Sequence, residues 1–423
     1  MERQIKNFDE LATSENRKTA LAIAEAGLLA INTENVIFNS VKFKNNILSV
    51  AGEEFDLAKF KAIKVVGFGK SSVGAALALT KVMGDKITEG AVIGLSKVDC
   101  GNIETFAGSH PRPTAVNLQA GKRIYGIAEN SSEEDLIIAV ISGGGSALLC
   151  SSEDECEQGA KLYDSFLKSG KTINEINTIR KHLSLLKGGG LAKVSYPATI
   201  IGLIFSDIPG DNFENVASGP TYKDGTTMAD AQKIITSNSL GHFDLVETPK
   251  EDKYFEKIHN FVLVSNKTAV EAMAKKGKEL GLKTKVVSTE LYDQVGVALR
   301  KILSAKENNT VVLAAGEPSV EVIGKSGKGG RNMHMGLTAI VEGAIDRGSV
   351  FIPLASDGID NSDAAGVVID EDTLQKIEKL NLDAKNYLER FDSYELFKQT
   401  GDMIMTGPTG ANVSDLMILL TRK

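Results

Sequence analysis

Short runs of consecutive apolar residues recur along the chain and predict buried β-strands. Nine runs have this character: "KVVGFG" (64–69), "AVIGLS" (91–96), "LIIAVIS" (136–142), "TIIGLIFSD" (199–207), "FVLVS" (261–265), "KVVST" (285–289), "VVLAAGE" (311–317), "VFIPLASDG" (350–358) and "MILL" (417–420). They are continuously apolar and do not alternate, which is typical of strands covered on both faces of a parallel sheet. Helix-like segments separate many of them, so the pattern predicts a βα alternation and an α/β fold.

The apolar pattern lapses near residue 240, where "DLVETPKEDKYFEK" is polar and charged before strands resume at Phe261. A chain of 423 residues is long enough for two or three domains of about 100–200 residues each. We therefore predict two domains, residues 1–240 and 241–423.

Several predicted strands end in glycine, serine or aspartate. The stretches are "GFGKSS", "ISGGGSALL", "FSDIPGD", "AAGEPS" and "LASDGIDNSDAAG". Open α/β sheets bind ligands beyond the carboxyl ends of their strands, so these ends predict a shared ligand cleft. The alternative is that glycine, serine and aspartate simply suit βα turns.

The charge, the cysteines and the N-terminal residues of the chain argue against several classes of protein. The net charge of -7 argues against a general binder of nucleic acid or of anionic membranes. The three cysteines, Cys100, Cys150 and Cys156, form no CxxC pair, which suits a reducing cytosol and gives no zinc framework. The polar start "MERQIKNFDE" lacks the pattern of a secretory signal. We expect a cytoplasmic protein, and the sequence leaves homo-oligomer formation open.

Two stretches resemble a phosphate-binding P-loop but fail its pattern, which needs a glycine five residues before Gly-Lys-Ser. That position is Ser319 for "GKSGKGGRN" (324–332) and Lys64 for "KVVGFGKS". A bound anion must therefore be held by other cations and backbone N–H groups.

The stretch "SGGGSALL" (142–149) follows a predicted strand and leads into a predicted helix. Without Cβ atoms, Gly143, Gly144 and Gly145 let backbone N–H groups face an anion, so Ser142 to Ser146 predict a phosphate cradle. The alternative is a tight turn with no ligand.

Lys70 in "GFGKSS" lies at the start of a predicted helix, where a cation opposes the helix dipole. A bound phosphate or carboxylate would account for this placement. A merely solvated lysine is the alternative.

The stretch "TINEINTIRKHLSLLKGGGLAK" predicts one amphipathic helix. A capping box of Thr172 and Glu175 would begin it, and the glycines at 188–190 would end it. Arg180 lies on its polar face, which either lines a cleft or faces solvent.

Carboxylates cluster after three of the predicted strands, and an arginine accompanies the glycines of "GGRN". The residues are Asp207 and Asp211, Glu317, the Asp357, Asp360 and Asp363 series, and Arg331. The last series is not an EF-hand, because Ser362 and Val368 occupy the positions that need Gly and Glu. A few oxygen ligands suit Mg²⁺, although any single carboxylate is more often a turn cap. Anion cradles, cations and such carboxylates together favour phosphoryl transfer.

Several blocks together resemble the glycerate 2-kinase family with a C-terminal MOFRL domain. They are "HPRPTAVNLQAGKRI", "ISGGGSALL", "EINTIRKHLSLLKGGGLA", "SDIPGDNFENVASGPTY", "GGRNMHMGL", "ASDGIDNSDAAGVVID" and "TGPTGANVSDLMI". The resemblance implies a Rossmann-like N-terminal domain with a parallel sheet, a smaller α/β C-terminal domain, and a site in the cleft between them. It also implies ATP- and Mg²⁺-dependent phosphorylation of D-glycerate at its 2-hydroxyl, giving 2-phosphoglycerate, which feeds lower glycolysis or a modified Entner–Doudoroff route.

The resemblance also implies residue roles. The family's catalytic lysine and aspartate fall on Lys70 and Asp207, and its substrate-site arginine and aspartate fall on Arg331 and Asp357. We further expect Arg180 and Ser142 to contact substrate. We expect Gly143, Gly144, Gly145, Ser146 and Lys70 to bind the nucleotide phosphates, and some of Asp207, Asp211, Glu317 and Asp357 to bind Mg²⁺. Many relatives continue "GGRN" with Gln-Glu, where this chain has Met333-His334, so specificity or donor preference differs if that pair touches substrate.

Two rival functions remain. A hydroxypyruvate reductase would need a nicotinamide site, but "GFGKSSVG" has Ser72 or Val73 where the third fingerprint glycine belongs. A non-catalytic sugar-phosphate-binding protein would have little use for Asp207 and Asp357 beside cations.

Overall fold

The computed structural model describes residues 3–169, 173–208, 210, 212–322, 324 and 326–422. The chain divides into two compact units: a central unit (residues 33–263) and a terminal unit (residues 1–32 and 264–423). The predicted boundary near residue 240 is therefore displaced, and the first thirty-two residues belong with the carboxyl-terminal part.

The strands, in chain order, are β1 (Val41–Lys44), β2 (Ile47–Val50), β3 (Glu53–Asp56), β4 (Ala62–Phe68), β5 (Glu89–Gly94), β6 (Ile103–Ala107), β7 (Asp135–Ser142), β8 (Thr199–Phe205), β9 (Ile258–Val264), β10 (Lys283–Leu291), β11 (Thr310–Gly316), β12 (Ser349–Ala355), β13 (Gly366–Val367), β14 (Met403–Ile404) and β15 (Asp415–Thr421). All nine apolar runs that predicted strands lie in or overlap these elements.

The α-helices are α1 (Phe8–Leu11), α2 (Glu15–Ile31), α3 (Thr33–Ser40), α4 (Ser72–Met83), α5 (Ala115–Glu129), α6 (Gly145–Leu148), α7 (Glu153–Ser169), α8 (Ile173–Lys181), α9 (Gly190–Ser195), α10 (Met228–Ser237), α11 (Asn266–Glu279), α12 (Val295–Ser304), α13 (Arg331–Val341), α14 (Glu371–Lys379), α15 (Ala384–Glu389) and α16 (Ser393–Thr400). No single helix within the described ranges has the length and hydropathy of a membrane span; α2 and α3 meet that test only together, across a 60° bend.

The central unit is built on a six-stranded sheet in the order β6-β5-β4-β7-β8-β9. The pairs from β6 to β8 are all parallel, and every residue of β7 is buried. This confirms the parallel sheet predicted from continuous apolar runs. A separate three-stranded antiparallel sheet, β1-β2-β3, belongs to the same unit.

The terminal unit has a six-stranded mixed sheet in the order β10-β11-β15-β12-β13-β14. Its strand β15 runs antiparallel to both neighbours, so Asp415 pairs with Gly316 on one side and Ala355 on the other. The apolar run "MILL" correctly predicted a strand buried on both faces but not its antiparallel direction, because burial is the same for either direction.

Two packing contacts explain the displaced boundary. The polar stretch after residue 240 returns to the central unit, where Phe243 is buried beside Leu162 and Ile235, and β9 then forms the last strand of the central sheet. Helix α2 packs on α11 in the terminal unit; a Cβ at Gly27 would lie 2.8 Å from Met273 Cγ. The boundary was predicted from a polar and charged stretch, and the charge of a stretch does not show which unit it packs against.

The single helix predicted from Thr172 to Lys187 is wrong in its end point. Helix α8 ends at Lys181, because Ser184 Oγ accepts hydrogen bonds from the N–H groups of Leu186 and Lys187 and offers the backbone another conformation. Thr172, the predicted cap, lies outside the described residues. The cysteines also differ from expectation, since Cys150 and Cys156 form a disulfide and only Cys100 is a free thiol.

Arg17 of α2 joins the N-terminal segment to the terminal unit. It is fully buried, and its guanidinium donates to both carboxylate oxygens of Asp370 at 2.7 Å and to Asp402 Oδ1 at 2.9 Å. Removing one partner of such a buried group leaves uncompensated charge.

We predict that Arg17→Ala lowers the free energy of unfolding of the terminal unit by about 3–5 kcal/mol, because buried Asp370 loses its guanidinium partner and Asp402, which also pairs with Lys376, loses one cation. Hydrogen–deuterium exchange should be faster in peptides from β12 and β15 but unchanged in β4 and β7. The matched control is the exposed neighbour in Lys18→Ala, for which we expect a change within about 0.5 kcal/mol. Equal exchange in Arg17→Ala and Lys18→Ala would contradict this assignment.

Candidate active site

The loops after β4 and β7 lie against each other at the carboxyl edge of the central sheet. The N–H of Lys70 donates to Gly143 O at 2.8 Å, and that of Ser71 donates to Ser142 Oγ at 3.1 Å. Gly69 has a φ of 122°, and a Cβ there would lie 2.2 Å from Ser142 Oγ. The hydroxyl of Ser142, which is only 1% exposed, joins the two loops. Its contact with substrate stays a prediction.

The glycine turn after β7 is approached closely from both sides. A Cβ at Gly143 would lie 2.0 Å from Asp207 Oδ2, and one at Gly144 would lie 3.2 Å from Lys70 Cγ and 3.3 Å from His110 Cδ2. The structure therefore brings the predicted lysine, aspartate and glycines together in one unit. The helix that follows, α6, has only four residues, so its N-terminus adds little positive potential to the turn.

Arg180, at the end of α8, lines a pocket with Ser146, Pro111 and Lys187. Burial lowers the pKa of Arg180 to about 10, with Tyr163 opposing the effect, and the group stays protonated at neutral pH. A guanidinium in such surroundings is suited to an anionic ligand.

Three polar residues around this pocket or on the predicted helix, Ser146, Asn177 and Lys187, have structural partners. Ser146 Oγ lies 2.8 Å from Ser218 Oγ, which in turn donates to Asn177 Oδ1 at 3.4 Å. The ammonium of Lys187 is buried, donating to Leu149 O at 2.7 Å and to Glu155 Oε1 at 2.6 Å. Arg180 and Lys187 both line the pocket, and the ammonium of Lys187 is already paired there with Glu155.

The four carboxylates expected around Mg²⁺ divide between the units. Asp207 is in the central unit, Glu317 and Asp357 are in the terminal unit, and Asp211 lies outside the described residues. No group of three His, Cys, Asp or Glu side chains suited to a metal ion occurs in the described ranges. The metal assignment stays a prediction.

In the terminal unit, Arg331 at the start of α13 is held by two carboxylates. Its Nε donates to Asp415 Oδ2, and its Nη2 donates to Glu317 Oε1 at 3.1 Å. Burial raises the pKa of Asp415 to about 7, opposed by the charge of Arg331 and assisted by those of Asp360 and Glu317. The structure thus brings together Arg331, Glu317 and a third residue, Asp415, that sequence reasoning missed.

Asp360 anchors the glycine-rich stretch to the helix that follows it. It accepts hydrogen bonds from the N–H groups of Asn332 at 3.1 Å and Met333 at 2.7 Å, capping α13 from a distant loop. A Cβ at Gly330 would lie 2.2 Å from Asp360 Oδ1, so the glycine is sterically required. Lys325 lies outside the described residues.

Asp357 follows β12 in the same unit, where its Oδ1 accepts from the N–H of Ile359 at 3.1 Å. Of the unusual pair after "GGRN", Met333 is fully buried, and the half-buried His334 stacks on Phe391 with ring centroids 5.3 Å apart. The effect of this pair on specificity stays a prediction.

Comparison with known proteins places the chain in a family. A sequence profile described as "Domain of unknown function (DUF4147)" matches residues 19–247, and the MOFRL family profile matches residues 310–415. A protein named glycerate 2-kinase from Pyrococcus horikoshii is 32% identical over 96% of this chain and 97% of its own length. A putative hydroxypyruvate reductase from Agrobacterium vitis is 35% identical over 84% of this chain and 86% of its own length.

A solved structure agrees with these sequence matches. The crystal structure of glycerate kinase from Thermotoga maritima superposes with a TM-score of 0.84 at 28% identity, covering 96% of this chain and 99% of that one. Fold and site define a two-unit α/β protein with a cation-lined glycine turn. The chain belongs to the MOFRL-type glycerate 2-kinase family, as its sequence blocks indicated.

We predict that Gly143→Ala weakens binding of inorganic tripolyphosphate at least roughly tenfold, because the added Cβ clashes with Asp207 and displaces the turn. Isothermal titration calorimetry measures the change. Gly126→Ala is the control, since a Cβ there meets nothing within 4 Å. Unchanged tripolyphosphate affinity in Gly143→Ala would show that the glycine turn does not bind phosphate.

A second prediction concerns Asp415 and pH. Its pKa is raised from 3.8 to about 7 on folding, so protonated Asp415 stabilises the fold fully below about pH 4, and this contribution is lost as pH rises through 7. Relative to Asp415→Asn, the free energy of unfolding of the wild type should fall across that window in urea denaturation. Parallel pH profiles for the two proteins would show that Asp415 titrates at its ordinary value.

Proposed function

We propose that this chain transfers the γ-phosphoryl group of ATP to the 2-hydroxyl of D-glycerate, giving 2-phosphoglycerate, and that it does so in the carbohydrate metabolism of the cytoplasm. Relatives named as glycerate 2-kinases, similar over nearly the full length of the chain, support the reaction class. The observation that carries the proposal is the convergence of Lys70 and Asp207 on one glycine turn.

The parts of this site suit phosphoryl transfer, which depends mainly on positioning and charge neutralisation. The backbone N–H groups of Gly143 to Gly145 would cradle the nucleotide phosphates, and the ammonium of Lys70 would neutralise the transferring group. Asp207 is held within reach of the same turn. Its carboxylate would accept or orient the proton of the attacking 2-hydroxyl.

The donor set fits a nucleotide-bound Mg²⁺, which takes one or two protein carboxylates and completes its shell with phosphate oxygens and water. Asp207 would be one such carboxylate, and Asp211, Glu317 and Asp357 are further proposed ligands. When bound, the ion would neutralise charge on the β- and γ-phosphates. The residues of this chain do the remaining work of binding and proton transfer.

We assign anion binding on the acceptor side to Arg331, with Arg180 as a further contributor. The guanidinium of Arg331 is fixed in direction by Glu317 and Asp415. A guanidinium has five N–H donors in a rigid plane, so one held at two of them can still bind the glycerate carboxylate or the transferred phosphoryl group.

One assay tests the reaction. Purified protein with ATP, Mg²⁺ and D-glycerate should form 2-phosphoglycerate, detected by coupling to enolase, which distinguishes the 2-phosphate from the 3-phosphate. The name of the Agrobacterium relative favours a second candidate, hydroxypyruvate reduction. NADH oxidation with hydroxypyruvate, in the absence of any 2-phosphoglycerate, would replace the kinase proposal with that activity.

We predict that Lys70→Ala and Asp207→Asn each lower kcat by about 10²-fold or more, because both residues act on the transferring group. Steady-state kinetics with the enolase-coupled assay give the values. Lys81→Ala is a suitable control, because Lys81 is an exposed lysine of the next helix, paired with Glu34. Near-wild-type kcat in both site variants would refute these roles and leave the reaction itself standing.

A further inference from the structure

His110 lies at the glycine turn, although it has no part in the reaction as described so far. A Cβ added to Gly144 would lie 3.3 Å from His110 Cδ2 and 3.4 Å from its Nε2. The same Cβ would lie 3.2 Å from Lys70 Cγ. His110 is exposed to solvent on part of its surface. An imidazole nitrogen therefore stands beside the middle glycine, accessible to a ligand.

The loop that carries His110 is fixed by one buried amide. The side chain of Asn117, fully buried in α5, accepts from the N–H of Ser109 at 3.0 Å and donates to Ser109 O at 3.1 Å. It also donates to Leu148 O at 3.0 Å, at the end of the turn formed by α6. Asn117 thus ties the segment before His110 to the segment after the glycines, which sets the distance between imidazole and turn.

The electrostatic surroundings of His110 are those of an anion site. The surrounding protein lowers its pKa by desolvation, and the positive charges of Lys70 and Arg180 lower it further. At neutral pH the imidazole is therefore uncharged, with one N–H donor and one acceptor nitrogen. His110, with the cations Lys70 and Arg180 near it, therefore suits an anionic ligand such as a phosphate chain better than a cation.

We propose that His110 is a substrate-contacting residue that donates a hydrogen bond from its ring to an oxygen of the nucleotide phosphate bound at Gly143–Gly145. This inference rests on the proposed function, and it adds a residue to it. A bound polyphosphate places negative charge beside the ring and favours its protonated form. Ligand binding therefore raises the pKa of His110, and a hydrogen bond to a charged phosphate oxygen is stronger than one between neutral groups.

The chain has five histidines, so histidine-labelled protein gives a countable set of imidazole signals in NMR spectra. The signal missing from His110→Ala identifies His110. We expect its apparent pKa to rise by about one pH unit on addition of inorganic tripolyphosphate or of the ATP analogue adenylyl imidodiphosphate. The NMR signal of the exposed His242, which pairs with Asp244, should not respond to either ligand.

Kinetics provide the second readout. We expect His110→Ala to lower kcat/KM for ATP by roughly tenfold or more, with His110→Gln recovering part of the loss because its amide can still donate. His242→Ala should remain within about twofold of wild type. A similar loss in His110→Gln and His110→Ala, with the pKa of His110 unchanged by either ligand, would overturn the inference.

Failure of this inference and failure of the proposed function give different results. An unchanged His110 titration in a protein that still forms 2-phosphoglycerate refutes only the histidine contact. A raised His110 pKa with tripolyphosphate, in a protein without kinase activity, supports the contact and refutes the reaction.

Discussion

The central unit depends on the space left by absent Cβ atoms where its parallel strands end. Gly69 lies against Ser142, and Gly143 lies against Asp207. A Cβ at Gly69 would be 2.2 Å from Ser142 Oγ, and one at Gly143 would be 2.0 Å from Asp207 Oδ2. Real Cβ atoms do not approach neighbours so closely, so these turns pack together only because both residues are glycine. The same packing brings a lysine, an aspartate and a histidine to one short stretch of backbone.

Much of the fold could be predicted because apolar runs report burial directly. The nine runs identified strands correctly, and the family blocks indicated the two α/β units. The direction of a strand and the unit that a segment packs in depend on contacts between residues far apart in the chain. Patterns in a single sequence do not contain these contacts. Strand β15 was therefore not recognised as antiparallel, and the packing of α2 on α11 placed the N-terminal segment in an unexpected unit.

The site was predicted in part for a related reason. Residues that follow parallel strands, such as Lys70 and Asp207, share an edge of the sheet, so their proximity could be expected. Asp415 begins an antiparallel strand, and it reaches the same edge as Gly316 and Ala355 from the opposite direction. His110 opens the block "HPRPTAVNLQAGKRI", but it follows the edge strand β6 by three residues, and only the loop fixed by Asn117 brings it to the turn.

The central claim is that the turn at Gly143–Gly145 holds the nucleotide phosphates. A crystal structure of the protein with adenylyl imidodiphosphate and Mg²⁺ tests it most directly. The account predicts phosphate density within hydrogen-bond distance of the N–H groups of Gly143 to Gly145, with Lys70 on the same oxygens. Phosphate density bound instead by the stretch "GKSGKGGRN", with the glycine turn free of ligand, would contradict it.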